Sequence, residues 1–355
     1  MQYLKNSKKK KVVNQSQMKK MKVDKKTRVS KHVVDDVVNP IYQTVSTWVA
    51  ASEKSRAQLN NICGRLVSIG APVVLLQLIT MVFLSTGGIT ESLDMVEYFA
   101  GEQAVTRAWA QAGYRSCPFE IKLNSMADIL STPGFCMALL MALMTKNFGF
   151  AMIATVCSTW VFVNRSTSRR TVWSPLGDER VKSVALANVM VSRMSLILWV
   201  LEAKRCLWLY EQPQTSLLFQ HPRMQQFVES CVVFKIHCWM GSYGASSPKG
   251  THLWGPHADI QKFILPLPCK TWAPLVTKKT LADGRVQVSG NSDLKGSQAY
   301  PPAFGHATVG VWKMAVERPL PPVKKLPKIW GGKVDKWPDA DLSDVFQFLS
   351  MGTMK

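Results

Sequence analysis

"MVEYFAGEQAVTRAWAQAGYRSCPFE", residues 95–120, decides the fold class. An apolar run from Met95 to Ala100 breaks on Gly101, a helical pattern follows, and a second apolar run from Tyr114 closes on a lone acid, Glu120. A glycine after a first strand lets the backbone turn tightly, so that a ligand can approach the N-terminus of the helix behind it. An acid at the end of the second strand can accept hydrogen bonds from ribose hydroxyls. Strand, glycine turn, helix, strand and terminal acid form the opening unit of a nucleotide-cofactor fold. The spacing is not G-x-G-x-x-G, because Gln103 stands where a second glycine would be.

Outward from this unit the chain alternates short apolar runs with helix-length segments. Candidate strands are Met95–Ala100, Tyr114–Glu120, Phe148–Cys157, Cys206–Tyr210, Val232–Met240 and Thr251–Trp254. Helical patterns lie near 103–112, 133–146, 179–204, 221–230 and 303–317. Strands alternating with helices predict an α/β fold, a doubly wound and mainly parallel sheet with helices on both faces. Within the apolar stretch 135–163, Lys146, Asn147 and Gly149 separate a helix from a buried strand.

The flanking regions read differently. The 355 residues carry a net charge of +21, which favours a polyanion or an anionic membrane surface as partner and says nothing about fold. Residues 1–31 are lysine-rich with almost no large apolar content, so they are expected to be disordered, either as a solubilising tail or as a nuclear-import or nucleic-acid arm. Residues 1–65 together form a basic, largely disordered extension in this reading. Residues 66–92 hold an uncharged apolar stretch that fits a packed helix or, alternatively, a membrane anchor through 66–84. The α/β domain covers 93–318, and 319–355 is a loosely ordered tail. The lysine-rich start lacks the early apolar core of a secretory leader. The eight cysteines contain no C-x-x-C pair and read as reduced, intracellular thiols. His237, Cys238, His252 and His257 have no recognised ligand spacing, so no metal is expected.

Chemistry-bearing residues fall at the predicted strand ends, where open α/β sheets bind ligands. Cys157 follows the third strand in "ATVCSTW" and Glu211 follows the fourth in "EQP". A thiol and a carboxylate at neighbouring strand ends are one possible nucleophile and acid pair. "GSYGASSPKGTHLWG" follows the fifth strand, and "GSQAYPPAFGHATV" stands near the C-terminus.

Taken in order, these segments resemble the cytosine-C5 DNA methyltransferases, within the class I S-adenosylmethionine-dependent methyltransferases. "EYFAGEQAVTRAWAQAGY" is similar to their cofactor loop, which carries Phe99 and Gly101. The resemblance then implies that Glu120 binds ribose, Ile121 packs on adenine, and Asp128 and Ile129 of "MADIL" meet the adenine edge. It implies Cys157 of "VCST" as the nucleophile, Glu211 as the acid at cytosine N3, and Lys249 of "YGASSPKGT" at the first arginine of a later motif. "FGHATV" is similar to the closing Gly-Asn-Ala-Val segment. The resemblance spans roughly 95–315, and its force lies in the order of the motifs. Departures are Val156 for proline, Ser158 for glutamine, Gln103 for the second glycine, Thr251 for the second arginine and His306 for asparagine. The stretch that would read DNA sequence, Gly255 to Gly290 at most, is short for the family.

The function this implies is S-adenosylmethionine-dependent methyl transfer to nucleic acid, DNA favoured over RNA, in the nucleus or elsewhere inside the cell. Arg165, Arg169 and Arg170 of "NRSTSRR" are expected to hold phosphates and to lower the thiol pKa of Cys157. Trp160 and Tyr243 are candidate pocket walls. The alternatives are a non-catalytic nucleic-acid-binding protein that kept the fold and a membrane-anchored protein.

Overall fold

The structure, a computed structural model, describes residues 53–272, 276–284, 286–290, 296–318 and 339–352. Its centre is a six-stranded sheet built from β1 (Leu93–Tyr98), β2 (Ser116–Phe119), β3 (Thr145–Ile153), β4 (Leu207–Pro213), β5 (Phe234–Trp239) and β6 (Gly250–Gly255), in the spatial order β2-β1-β3-β4-β6-β5. The first four strands pair in parallel. β6 inserts antiparallel between β4 and β5. The fold is therefore α/β, Rossmann-like and doubly wound, with one reversed strand near its far edge. A small antiparallel hairpin, β7 (Val276–Thr280) with β8 (Val286–Gly290), stands apart from the main sheet.

The two-residue period of the strands explains the layering, because alternate side chains leave opposite faces. Met95, Phe150, Met152, Leu207, Leu209 and Leu253 share one core with Val105 and Trp109 of α3 (Ala104–Gln111) and Phe304 of α7 (Pro302–Val316). The intervening residues face the other way. Tyr98 donates to the Ala138 carbonyl of α4 (Thr132–Met144) at 2.9 Å. Trp208 meets Phe227 of α6 (Pro222–Ser230), which in turn packs edge-on against Trp199 of α5 (Lys182–Ala203). Burying α5 nearly all round explains why it is apolar on every side. Among the described residues it is the one helix long and apolar enough to cross a membrane, and here it is a core helix.

Three boundary expectations change. Residues 53–65 are not an extension: they belong to α1 (Glu53–Ile69), whose Leu59, Ile62 and Leu66 are buried. The apolar stretch after it is not one helix. The chain turns at Gly70, with φ 84°, and Pro72 starts α2 (Val73–Thr86), whose 14 residues fall short of the about 20 that a span needs. Leu75, Leu78 and Ile79 of α2 are fully buried. Within the expected loose tail, residues 339–352 form α8 (Asp339–Gly352), with Val345 and Leu349 buried. Its Leu349 carbonyl accepts from Ser85 of α2 at 3.5 Å. Residues 1–31 lie outside the described residues.

Candidate active site

The loop after β1 is built from left-handed backbone. Phe99, Gly101 and Gln103 have φ of 60°, 52° and 58°. Gly101 takes this conformation without cost, whereas Gln103 occupies a region that disfavours a side chain. The position where the resembling family places glycine thus demands its conformation here too. Glu120, buried at the end of β2, accepts from Gly101 N at 2.9 Å and from Lys122 N at 3.1 Å. It therefore clamps the β1 loop to the β2 loop. Ile121 is exposed beside it, and Asp128 is half-buried with one oxygen accepting from Leu130 N at 3.0 Å. Ile129 is buried, and its carbonyl accepts from Arg193 at 2.9 Å, so it supports the loop from beneath.

The closing motif near the C-terminus supports this loop from behind. A side chain at Gly305 would sit 2.6 Å from the Ala104 carbonyl, so α7 approaches α3 only through a glycine. Trp109 donates to Thr308 at 2.9 Å across the same contact. His306, one residue on, is exposed.

On the face toward α3 and α7, two apolar stripes end in acids. Met95 is followed two residues on by Glu97, and Leu207 and Leu209 by Glu211. Both carboxylates are buried, and Oε1 of each lacks a hydrogen bond. Glu97 Oε2 accepts from the backbone and hydroxyl of Thr106, at 2.7 and 2.5 Å. Burial nevertheless pushes the Glu97 carboxyl up. Lys249, held at φ 38°, brings its ammonium to 3.6 Å from Glu211 Oε1 and to 5.6 Å from the Tyr300 ring. The Tyr300 hydroxyl faces Glu211 without closing a regular hydrogen bond, and burial beside Glu211 and Glu97 keeps the phenol protonated.

Cys157 completes the group. Burial raises its thiol pKa, the Glu211 charge raises it further, and the Lys249 charge lowers it. The three residues expected to do chemistry, carried by three separate strand ends, thus fall within electrostatic reach of one another. Tyr300 and Glu97 join them. Tyr300 lay inside a segment already singled out, and an acid within an apolar strand marked Glu97.

The arginines behave otherwise. Arg170 is fully buried, with its guanidinium 3.3 Å from the centre of the Trp160 ring. It donates to Thr159, Pro175, Leu176, Val184 and Asn188. It has no donor geometry left for a phosphate. Arg169 is exposed and lies 3.9 Å from Asp178, while Arg165 lies over Phe162 at 5.0 Å. None of the three shifts the Cys157 thiol; Lys249 is the cation that does. Trp160 and Tyr243 are core residues rather than open walls: Trp160 is wholly buried under Arg170, and Tyr243 donates to the Phe263 carbonyl at 2.8 Å. No family model matches the sequence, and no curated protein shows significant similarity to it.

Proposed function

We propose that the chain transfers methyl groups from S-adenosylmethionine to nucleic acid, with cytosine C5 in DNA as the favoured target. The observation that carries this reading is the Lys249–Glu211 pair at the carboxyl edge of a doubly wound sheet, with the Cys157 thiol within electrostatic reach of both charges. The cofactor fits the residues present. Space in front of Gly101 is open, Ile121 offers an exposed apolar face to a purine, and Asp128 is accessible for its amino edge. Phe99 and the Glu120 clamp shape the loop between them.

Bound S-adenosylmethionine supplies an electrophilic methyl group on a sulfonium. Cytosine C5 alone is too weak a nucleophile to take it. In the proposed reaction the Cys157 thiolate adds to C6, the displaced electron pair moves toward C5, and Glu211 shares a proton with N3. Transfer of the methyl group to C5 leaves the cofactor as a neutral thioether, and loss of the C5 proton to water then expels the thiolate and restores the ring. The base must leave its stack first, which costs a few kcal/mol.

The electrostatics make this stepwise. Before a base enters, burial and Glu211 hold the thiol above its usual pKa. A base bound through N3 to Glu211 needs one proton taken up from solvent between them, and that proton cancels the charge that opposes the thiolate, while Lys249 still favours it. Thiolate formation is thereby coupled to base entry.

Trapping tests the reading. Wild type should form a covalent adduct with an oligonucleotide containing 5-fluorocytosine, and Cys157→Ser should not, while still binding cofactor. Cofactor and DNA binding without an adduct would replace this reading with the non-catalytic one. A flat response of DNA affinity to salt would count against any nucleic-acid role.

A further inference from the structure

The loop between β3 and α5 carries an exposed apolar surface that the chemistry above does not use. Trp173 is 95% exposed and Phe162 59%, with Val163 and Val172 also exposed. A tryptophan this bare loses the burial that ordinarily stabilises it, and large apolar side chains held in water on one ordered loop point to an interaction surface. The loop is nonetheless firmly built. Arg170 ties residue 159 to 175, 176, 184 and 188. Thr171 N bonds the Ser174 carbonyl at 3.2 Å, closing a turn around Trp173.

Its charge selects the occupant. Arg165 and Arg169 flank the aromatics, and Arg180 is largely exposed. Asp178 is turned onto Arg180 at 2.8 Å, and Glu179 accepts from Asn188 at 2.9 Å. Aromatic faces interleaved with arginines suit unpaired bases, which every nucleotide presents as a π-face, better than a duplex, whose bases are already stacked.

We propose that Trp173 and Phe162 form a stacking platform for a single-stranded stretch of nucleic acid, with Arg165 and Arg169 on its phosphates. This rests on the nucleic-acid reading for the class of partner, but not on methyl transfer. Arg170 acts as the staple that holds the platform in place.

The test is binding of the full chain, without cofactor, to a twelve-nucleotide oligo-dT, to an abasic oligomer of equal length and to a duplex of equal length. Wild type should prefer the oligo-dT. Trp173→Ala should weaken oligo-dT binding about 5- to 100-fold, the scale of one lost stacking contact, and leave abasic binding unchanged. Trp173→Phe should recover most of the loss. Being fully exposed, this position tolerates substitution without loss of fold, which circular dichroism checks. Equal loss toward oligo-dT and abasic oligomer, no loss toward either, no oligo-dT binding by wild type, or a preference for duplex would each overturn the platform. Adduct trapping with 5-fluorocytosine reports on methyl transfer separately, so failure of one reading leaves the other measurable.

Discussion

At the amino edge of the sheet, Lys204 pairs with Glu91 at 2.7 Å, Lys146 with Asp94 at 2.6 Å, and Arg65 with Asn147 at 2.8 Å. At the carboxyl edge, Glu97 and Glu211 each keep a buried oxygen that accepts no hydrogen bond, Glu211 facing only the Lys249 ammonium at 3.6 Å, and the Tyr300 hydroxyl beside them closes no regular hydrogen bond either. The same sheet therefore satisfies its polar groups at one end and leaves hydrogen-bonding capacity over at the other. Leaving a buried polar atom unpaired costs about 1–3 kcal/mol. Neighbouring buried groups that keep hydrogen-bonding capacity are where a molecule from outside the chain could supply the missing partners.

The contrast has measurable limits. The largest effect belongs to Arg170, which is fully enclosed although it stands on the carboxyl-edge loop. Arg170→Ala should cost about 3–5 kcal/mol in urea unfolding, since it strands several buried carbonyls. Lys146→Ala at the exposed amino-edge pair should cost about 0–1 kcal/mol. Equal costs would mean that exposure does not separate structural from solvated charges here.

A smaller effect sharpens the cofactor side. Glu120→Ala should weaken S-adenosylmethionine binding by about 1.5–3 kcal/mol in calorimetry, because the carboxylate both offers acceptors to a ribose and fixes the β1 loop. Unchanged affinity would remove the cofactor from this crevice.

The smallest effect is a displacement along the pH axis. Alkylation of Cys157 by iodoacetamide, followed by mass spectrometry, should rise only above the pH at which an ordinary thiol reacts, since burial and the Glu211 charge push the thiol up. Glu211→Gln removes a like charge and should move the rise to lower pH. Lys249→Met removes a favourable charge and should move it higher. A pH profile that neither variant moves would mean that the three groups do not share a field.

Much of this architecture was legible in the residue pattern. Runs such as "FAMI" and "LWLY" mark buried strands whatever surrounds them, whereas the helix-to-strand change comes at Thr145, so that Lys146, Asn147 and Gly149 lie inside β3 rather than before it. That Cys157 and Glu211 would lie toward one edge of the sheet followed from the order of adjacent parallel strands. Arg170 was misread for a physical reason. A basic run looks alike whether it faces water or folds inward, and only the Thr159 and Asn188 partners, one of them on α5, decide it. The apolar 66–90 stretch was ambiguous because composition does not record a break at Gly70 and Pro72. α8 was missed because its buried positions acquire meaning only against α2 and α4.

The insertion of β6 between β4 and β5 also orders events in time. β4 has its full length from residue 207, but its outer edge stays unpaired until Gly250–Gly255 has been synthesised. At about 5–20 residues per second on a ribosome, that leaves a hydrogen-bonding edge open for several seconds. Lys249 arrives with the strand that closes it, and Tyr300 arrives later still. A nascent or truncated chain ending before residue 249 thus carries Cys157 and Glu211 with no cation to balance them and an open strand beside them. Such a fragment should pair with its own kind more readily than it folds.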